Sequence, residues 1–132
     1  MALNHEERRI AYAIRQEPPD MNTTTSSDGM SGMLIDHLFE GLLSYDPQGK
    51  LIGGVAKRWQ LRNDGATFWL RKDARWSDGS AVTAHDFVFA WRKVLEPATA
   101  STYGFIMFPI LNAQEISEGA MASSALGVKA LD

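Results

Sequence analysis

The chain has 132 residues, 45% hydrophobic and 22% charged, with 13 basic against 16 acidic side chains and a formal net charge of −3. A chain of this size and balance reads as one globular domain burying roughly two-thirds of its unfolded surface. Its negative sign is unfavourable for holding phosphate backbones, so no nucleic-acid partner is expected. There is no cysteine, which excludes disulfides, thiolate nucleophiles and cysteine-bound zinc or iron–sulfur clusters.

Glu6, Glu7, Arg8 and Arg9 stand within the first nine residues, where a secretory leader would place apolar ones, so no leader is expected there. The longest apolar run, residues 105–111, contains Pro109 and falls far short of the roughly 18 residues that cross a bilayer. The chain is therefore not expected to be membrane-inserted. Charge is uneven along it: residues 1–49 carry −5, residues 50–93 carry +5 and residues 94–132 carry −3. The basic centre alternates cations with apolar residues, the pattern of a solvated sheet face.

Residues 10–15 read as a short strand, stopped by Glu17-Pro18-Pro19-Asp20 because proline has no N–H for a ladder. The polar stretch of residues 22–28 is a loop leading into a helix. Ser26, Ser27 or Asp28 supplies the cap, Met30, Met33, Leu34 and Leu38 recur at helical spacing, and Gly41 offers a left-handed end. Asp46-Pro47-Gln48-Gly49 then sets a type I turn between two strand-like runs. Asn63-Asp64-Gly65 signals a second hairpin, in which Trp59, Leu61, Phe68 and Leu70 share an apolar face. Trp69 falls on the polar face and is expected to be covered by another element.

Beyond the turn at Asp78-Gly79, Thr83 and Asp86 have capping-box spacing. Ala84, Phe87, Val88, Trp91 and Leu95 make one apolar helical stripe, and Pro97 stops it. Residues 98–111 are apolar but irregular, residues 112–118 a short helix, and residues 127–131 the start of another strand.

No catalytic or metal-binding constellation emerges. His5, His37 and His85 lack ligand spacing, glycine pairs such as Gly53-Gly54 lack a phosphate-binding pattern, and no serine sits in a nucleophile elbow. No enzyme activity, cofactor or metal is expected, and a binding or scaffold role remains. Two features suit binding. The loop of residues 23–29 brings backbone N–H groups to a helix N-terminus, where a carboxylate or a peptide backbone can dock, although Asp28 as a cap would itself occupy those donors. Tyr103, in Ala100-Ser101-Thr102-Tyr103-Gly104, is an aromatic hydroxyl at an irregular position.

Several segments carry a family resemblance. Leu38-Phe39-Glu40-Gly41-Leu42-Leu43, Gly54-Val55-Ala56 leading to Trp59, the run Leu70-Arg71-Lys72-Asp73-Ala74-Arg75-Trp76-Ser77-Asp78-Gly79 and Val82-Thr83-Ala84-His85-Asp86-Phe87-Val88 all resemble the bacterial extracellular solute-binding proteins of the oligopeptide and dipeptide type. The resemblance runs in order from about Ile10 to Asp132. It implies an α+β fold, antiparallel hairpins with packed helices, forming part of a periplasmic-binding-protein type II-like fold. Residues 1–20 would hold the first strand of lobe I, and residues 21–132 most of a small additional domain.

The resemblance further implies an N-terminal fragment of a periplasmic subunit that captures peptides and delivers them to a membrane ABC permease. Ser27, Asp28, Gly29 and Tyr103 would then face the peptide ligand. Position 27 is serine where relatives can carry an acidic residue, so a salt bridge to a peptide amine does not carry over. The alternative is a stand-alone interaction module using an apolar patch of Phe105, Met107, Phe108 and Ile110.

Overall fold

A computed structural model describes residues 2–4, 9–11 and 13–131. Strand β1 (Ala2–Asn4) pairs antiparallel with β2 (Arg9–Ala11), Leu3 opposite Ile10. The expected strand over residues 10–15 is thus shorter and begins one residue earlier, because a ladder ends where its three-residue partner ends. Helix α1 (Gly29–Leu38) is capped by Asp28. It ends differently from expectation: Phe39 is extended, its N–H donating to the Ile35 carbonyl at 2.9 Å, and Gly41 takes no part in the cap.

Gly41 instead belongs to a junction between ribbons. Strands β3 (Leu43–Tyr45) and β4 (Leu51–Gly53) form one hairpin, β5 (Ala56–Arg62) and β6 (Gly65–Leu70) another. Where they meet, the Val55 N–H donates to the Gly41 carbonyl at 2.9 Å, and the Gly54 and Ala56 N–H groups both reach the Leu42 carbonyl at 3.0 Å. A Cβ on Gly54 would stand 2.4 Å from the Gly41 oxygen, so only glycine permits this approach. Val55 and Ala56 are buried here, and the Arg71 guanidinium closes the junction on Glu40 at 2.6 Å.

The expected turns are present. Gly49, at φ +78°, closes the Asp46 turn, with Asp46 Oδ1 accepting from the Gln48 and Lys50 N–H groups. In the second hairpin Arg62 pairs with Gly65, so the loop is Asn63-Asp64 and neither residue is left-handed. Trp59 lies opposite Phe68, as the alternation requires. Trp69 is half-buried, and the Arg58 guanidinium of the paired strand stands over it, 3.7 Å from the ring centre. A planar cation over an indole face gives the ring a partner without a further layer of structure.

Helix α2 (Ala84–Leu95) opens with the expected reciprocal cap, Asp86 Oδ2 accepting from the Thr83 N–H at 2.7 Å. The Trp76 indole N–H donates to that same oxygen at 3.4 Å, tying the preceding turn to the helix. The stripe buries Leu95, and Phe87 meets Trp91 edge to face at 6.2 Å. Three 3₁₀ turns (Pro97–Thr99, Gly104–Met107, Ser123–Ala125) and helix α3 (Ala113–Ser117) fold back onto α2. Leu95, Ala113, Ile116 and Leu126 form the core there, with Trp91, Met107, Phe108, Ile110 and Val128 around it.

Two expectations fail in this region. Residues 127–131 form no strand, because no described strand lies alongside; Gly127 donates instead to the Leu111 carbonyl at 2.9 Å. The expected patch is also smaller: Phe105 is 57% exposed, but Met107, Phe108 and Ile110 are partly buried against the core.

Candidate functional site

The loop before α1 is fixed by its own short polar side chains. Asp20 accepts from the Asn22 N–H at 2.8 Å and the Thr25 hydroxyl at 2.5 Å, while Asn22 Oδ1 accepts from both N–H and hydroxyl of Thr24. Such side-chain turns let a polar sequence hold one shape without regular structure. The Asp20 carboxyl is accordingly held below its usual range, chiefly by Thr25. Ser31, fully buried, is where the loop meets the helix: its Oγ accepts from the Asp20 N–H at 3.5 Å.

Asp28 Oδ1 accepts from the Met30 and Ser31 N–H groups at 3.0 and 2.9 Å. The Ser31 hydroxyl, then those N–H groups, lower the Asp28 carboxyl below its ordinary value. Of the two readings of this helix start, the cap is therefore realised, and the carboxylate occupies two of the donors an anion would need. Among the described residues, the Ser27 and Gly29 N–H groups donate to nothing.

Tyr103 arrives from the other end of the chain. After α2, Ala100 takes a left-handed conformation (φ 51°) that reverses the backbone, and Tyr103 then starts the Gly104–Met107 turn. It is 47% exposed, and its ring lies 5.8 Å from that of Phe105 at a tilt of 39°.

Ser27, Asp28, Gly29 and Tyr103 line one open cleft of about 430 Å³. Thr23, Ser26, Gly32 and Ile35 complete its wall. Sequence reasoning did not single out Gly32 and Ile35, although their offsets of four and seven from Asp28 put them on its helical face. Among the described residues Asp28 is the only carboxylate in this wall and it is spent on the cap, so the cleft offers backbone donors, hydroxyls and an aromatic ring. That set suits a neutral backbone with side chains passing over it.

The histidines lie elsewhere. The His37 ring nitrogen is 2.7 Å from the Met33 carbonyl, His85 is exposed on the first turn of α2, and His5 is outside the described residues. No cluster of three or more metal-ligating side chains occurs among the described residues, and no helix there is long and apolar enough to cross a membrane.

Residues 50–132 match the family of bacterial extracellular solute-binding proteins, family 5, in its middle region. The periplasmic oligopeptide-binding protein OppA of Haemophilus influenzae is 48% identical over 131 residues, a match covering 96% of this chain and 24% of that protein. The periplasmic murein peptide-binding protein MppA of Escherichia coli is 34% identical, with the same shares covered. Among solved structures, the substrate-binding domain of an oligopeptide ABC transporter from Bacillus anthracis superposes with a TM-score of 0.88 at 44% identity, over 92% of this chain and 24% of that one. H. influenzae OppA in complex with the peptide RPPGFSPFR gives 0.82 at 42% identity, over 88% of this chain and 23% of that one.

The chain belongs to the family 5 extracellular solute-binding proteins. Its α+β fold of hairpins and packed helices is part of the periplasmic-binding-protein fold of those neighbours. It spans about a quarter of the length of the curated relatives it matches.

Proposed function

We propose that this chain is part of the substrate-binding subunit of an ABC importer, acting in the periplasm to capture peptides and hand them to a membrane permease. The observation that carries the reading is the cleft shared by Ser27, Asp28, Gly29 and Tyr103. In this reading the Ser27 and Gly29 N–H groups hold peptide carbonyls, Tyr103 covers the chain, and side chains are accepted loosely through water. Capture is reversible and breaks no bond. The relatives named for oligopeptides, and the one solved with a bound nonapeptide, support peptide as the ligand.

We assign residues 1–20 to the first lobe of such a subunit and residues 21–132 to its small additional domain. The cleft is open to solvent on one side, so this chain holds a peptide more weakly than micromolar. Titrating a tripeptide into isotopically labelled protein should shift the Ser27, Gly29 and Tyr103 amides, with calorimetry giving the affinity. Sub-micromolar binding would sink the weak, open cleft, and unmoved amides at millimolar peptide would sink the site. The interaction-module reading is not favoured, since three of its four patch residues are partly buried against the core around Leu95.

A further inference from the structure

We infer that the polar face of the β5–β6 ribbon docks on an anionic lipid surface. Residues 56–72 carry five cations, Lys57, Arg58, Arg62, Arg71 and Lys72, against the single acid Asp64. Arg58, opposite Trp69, and Arg62, opposite Gly65, lie on one face with Gln60 and Thr67. Lys57 and Lys72 flank the base of the ribbon, where both are exposed. Arg71 is neutralised by Glu40, whereas Arg58, Arg62, Lys57 and Lys72 have no ion pair among the described residues.

The two face arginines are also held in place. The Arg58 guanidinium carbon stands over the Trp69 ring, 3.7 Å from its centre, and Arg62 donates to the Thr67 hydroxyl at 3.4 Å and to Gln60 Oε1 at 3.3 Å. Cations fixed this way lose little side-chain freedom when an anion arrives, and the stacked guanidinium keeps its N–H edge for phosphate oxygens.

The size and shape of the face select the partner. Seven residues of strand extend roughly 20 Å, and two strands about 5 Å apart give an area on the order of 200 Å². A specific protein interface needs about 800 Å² on each side, so a folded acidic protein finds too little to grip. Single-stranded nucleic acid needs open aromatic faces, and the Trp69 ring already carries Arg58. An anionic bilayer needs neither shape match nor large area, because each cation near its surface contributes separately. Within residues 56–72 the cations outnumber the acids five to one, and over the roughly 8–10 Å through which charges act in salt this local excess weighs more than the chain's net charge of −3.

Co-sedimentation of the 132-residue protein with phosphatidylglycerol-containing vesicles, against pure phosphatidylcholine vesicles, tests this. Binding should be confined to the anionic vesicles and vanish in about 1 M salt, where the screening length is about 3 Å. Arg58→Gln and Arg62→Gln should each weaken it about fivefold, and the pair about 30-fold. The Arg58→Lys/Arg62→Lys variant keeps the charge and should still bind, which separates charge from folding, and Lys129→Gln should change nothing. Equal binding to both vesicle types, an undiminished double Gln variant, or binding to poly-glutamate or oligonucleotide without binding to vesicles overturns the inference.

Discussion

Residues 84–128 close on Leu95, Ala113, Ile116 and Leu126, each no more than 4% exposed, whereas the ribbons of residues 43–70 bury only Val55 and Ala56 of their apolar side chains, at the junction between them. Both regions are rich in apolar side chains, but only the helical one arranges them around a shared centre. Two-stranded ribbons have marginal stability in water, so here they depend on the buried junction at Gly54, Val55 and Ala56. The comparison teaches that one half is held by side-chain burial and the other by backbone hydrogen bonds at a single crossing.

The sharpest way to break this contrast is Ile116→Ala. Removing a fully buried branched side chain should cost roughly 2–5 kcal/mol, read by urea unfolding, with amide exchange in α2 and α3 quickening before that in β5 and β6. If the ribbon amides quicken equally, the two regions are one cooperative unit. Gly54→Ala attacks the other half: with the new Cβ driven against the Gly41 oxygen, the expected loss is about 1–3 kcal/mol, appearing first in ribbon amides.

Smaller effects refine the picture. Thr83→Ala removes a capping hydroxyl from α2 and should cost about 1 kcal/mol, measured as a lower thermal midpoint. Acid reaches the same caps without mutation. Asp28 and Asp86 have folded carboxyls lowered by hydrogen bonds, so their stabilisation is present above the unfolded value of about 3.9 and fades as pH falls through the folded values. Helix circular dichroism between pH 5 and pH 2 should show the loss, and a flat profile would remove the caps from the account. Smallest is Ala100→Gly, where relief of the left-handed residue at φ 51°, less glycine's larger unfolded-state entropy, should gain about 0.5 kcal/mol.

Local chemistry was readable along the chain. The Thr83 and Asp86 cap, the Asp46 and Asp78 turns and the α2 stripe each depend on residues within a few positions of one another, and all stand as the sequence predicts. What was not readable depends on distant partners. The place of Gly41 is set by Val55 at the ribbon junction, the contact of Trp69 by Arg58 across the ribbon, and the fate of residues 127–131 by Leu111. The cleft shows the same division: its residue types were visible, but only the folded chain brings Tyr103 to Ser27, Asp28 and Gly29.

That cleft takes its two walls from residues at least 68 positions apart in the chain, Ile35 and Tyr103 being the nearest. A ligand touching both walls exists as a bound species only while the intervening chain is folded, so occupancy and folding are thermodynamically linked. By mass action, a ligand at one hundred times its dissociation constant adds about 2.7 kcal/mol to the folded state. A rise in melting temperature across a peptide library would therefore rank ligands without any label, and it would fail selectively for peptides that reach only one wall.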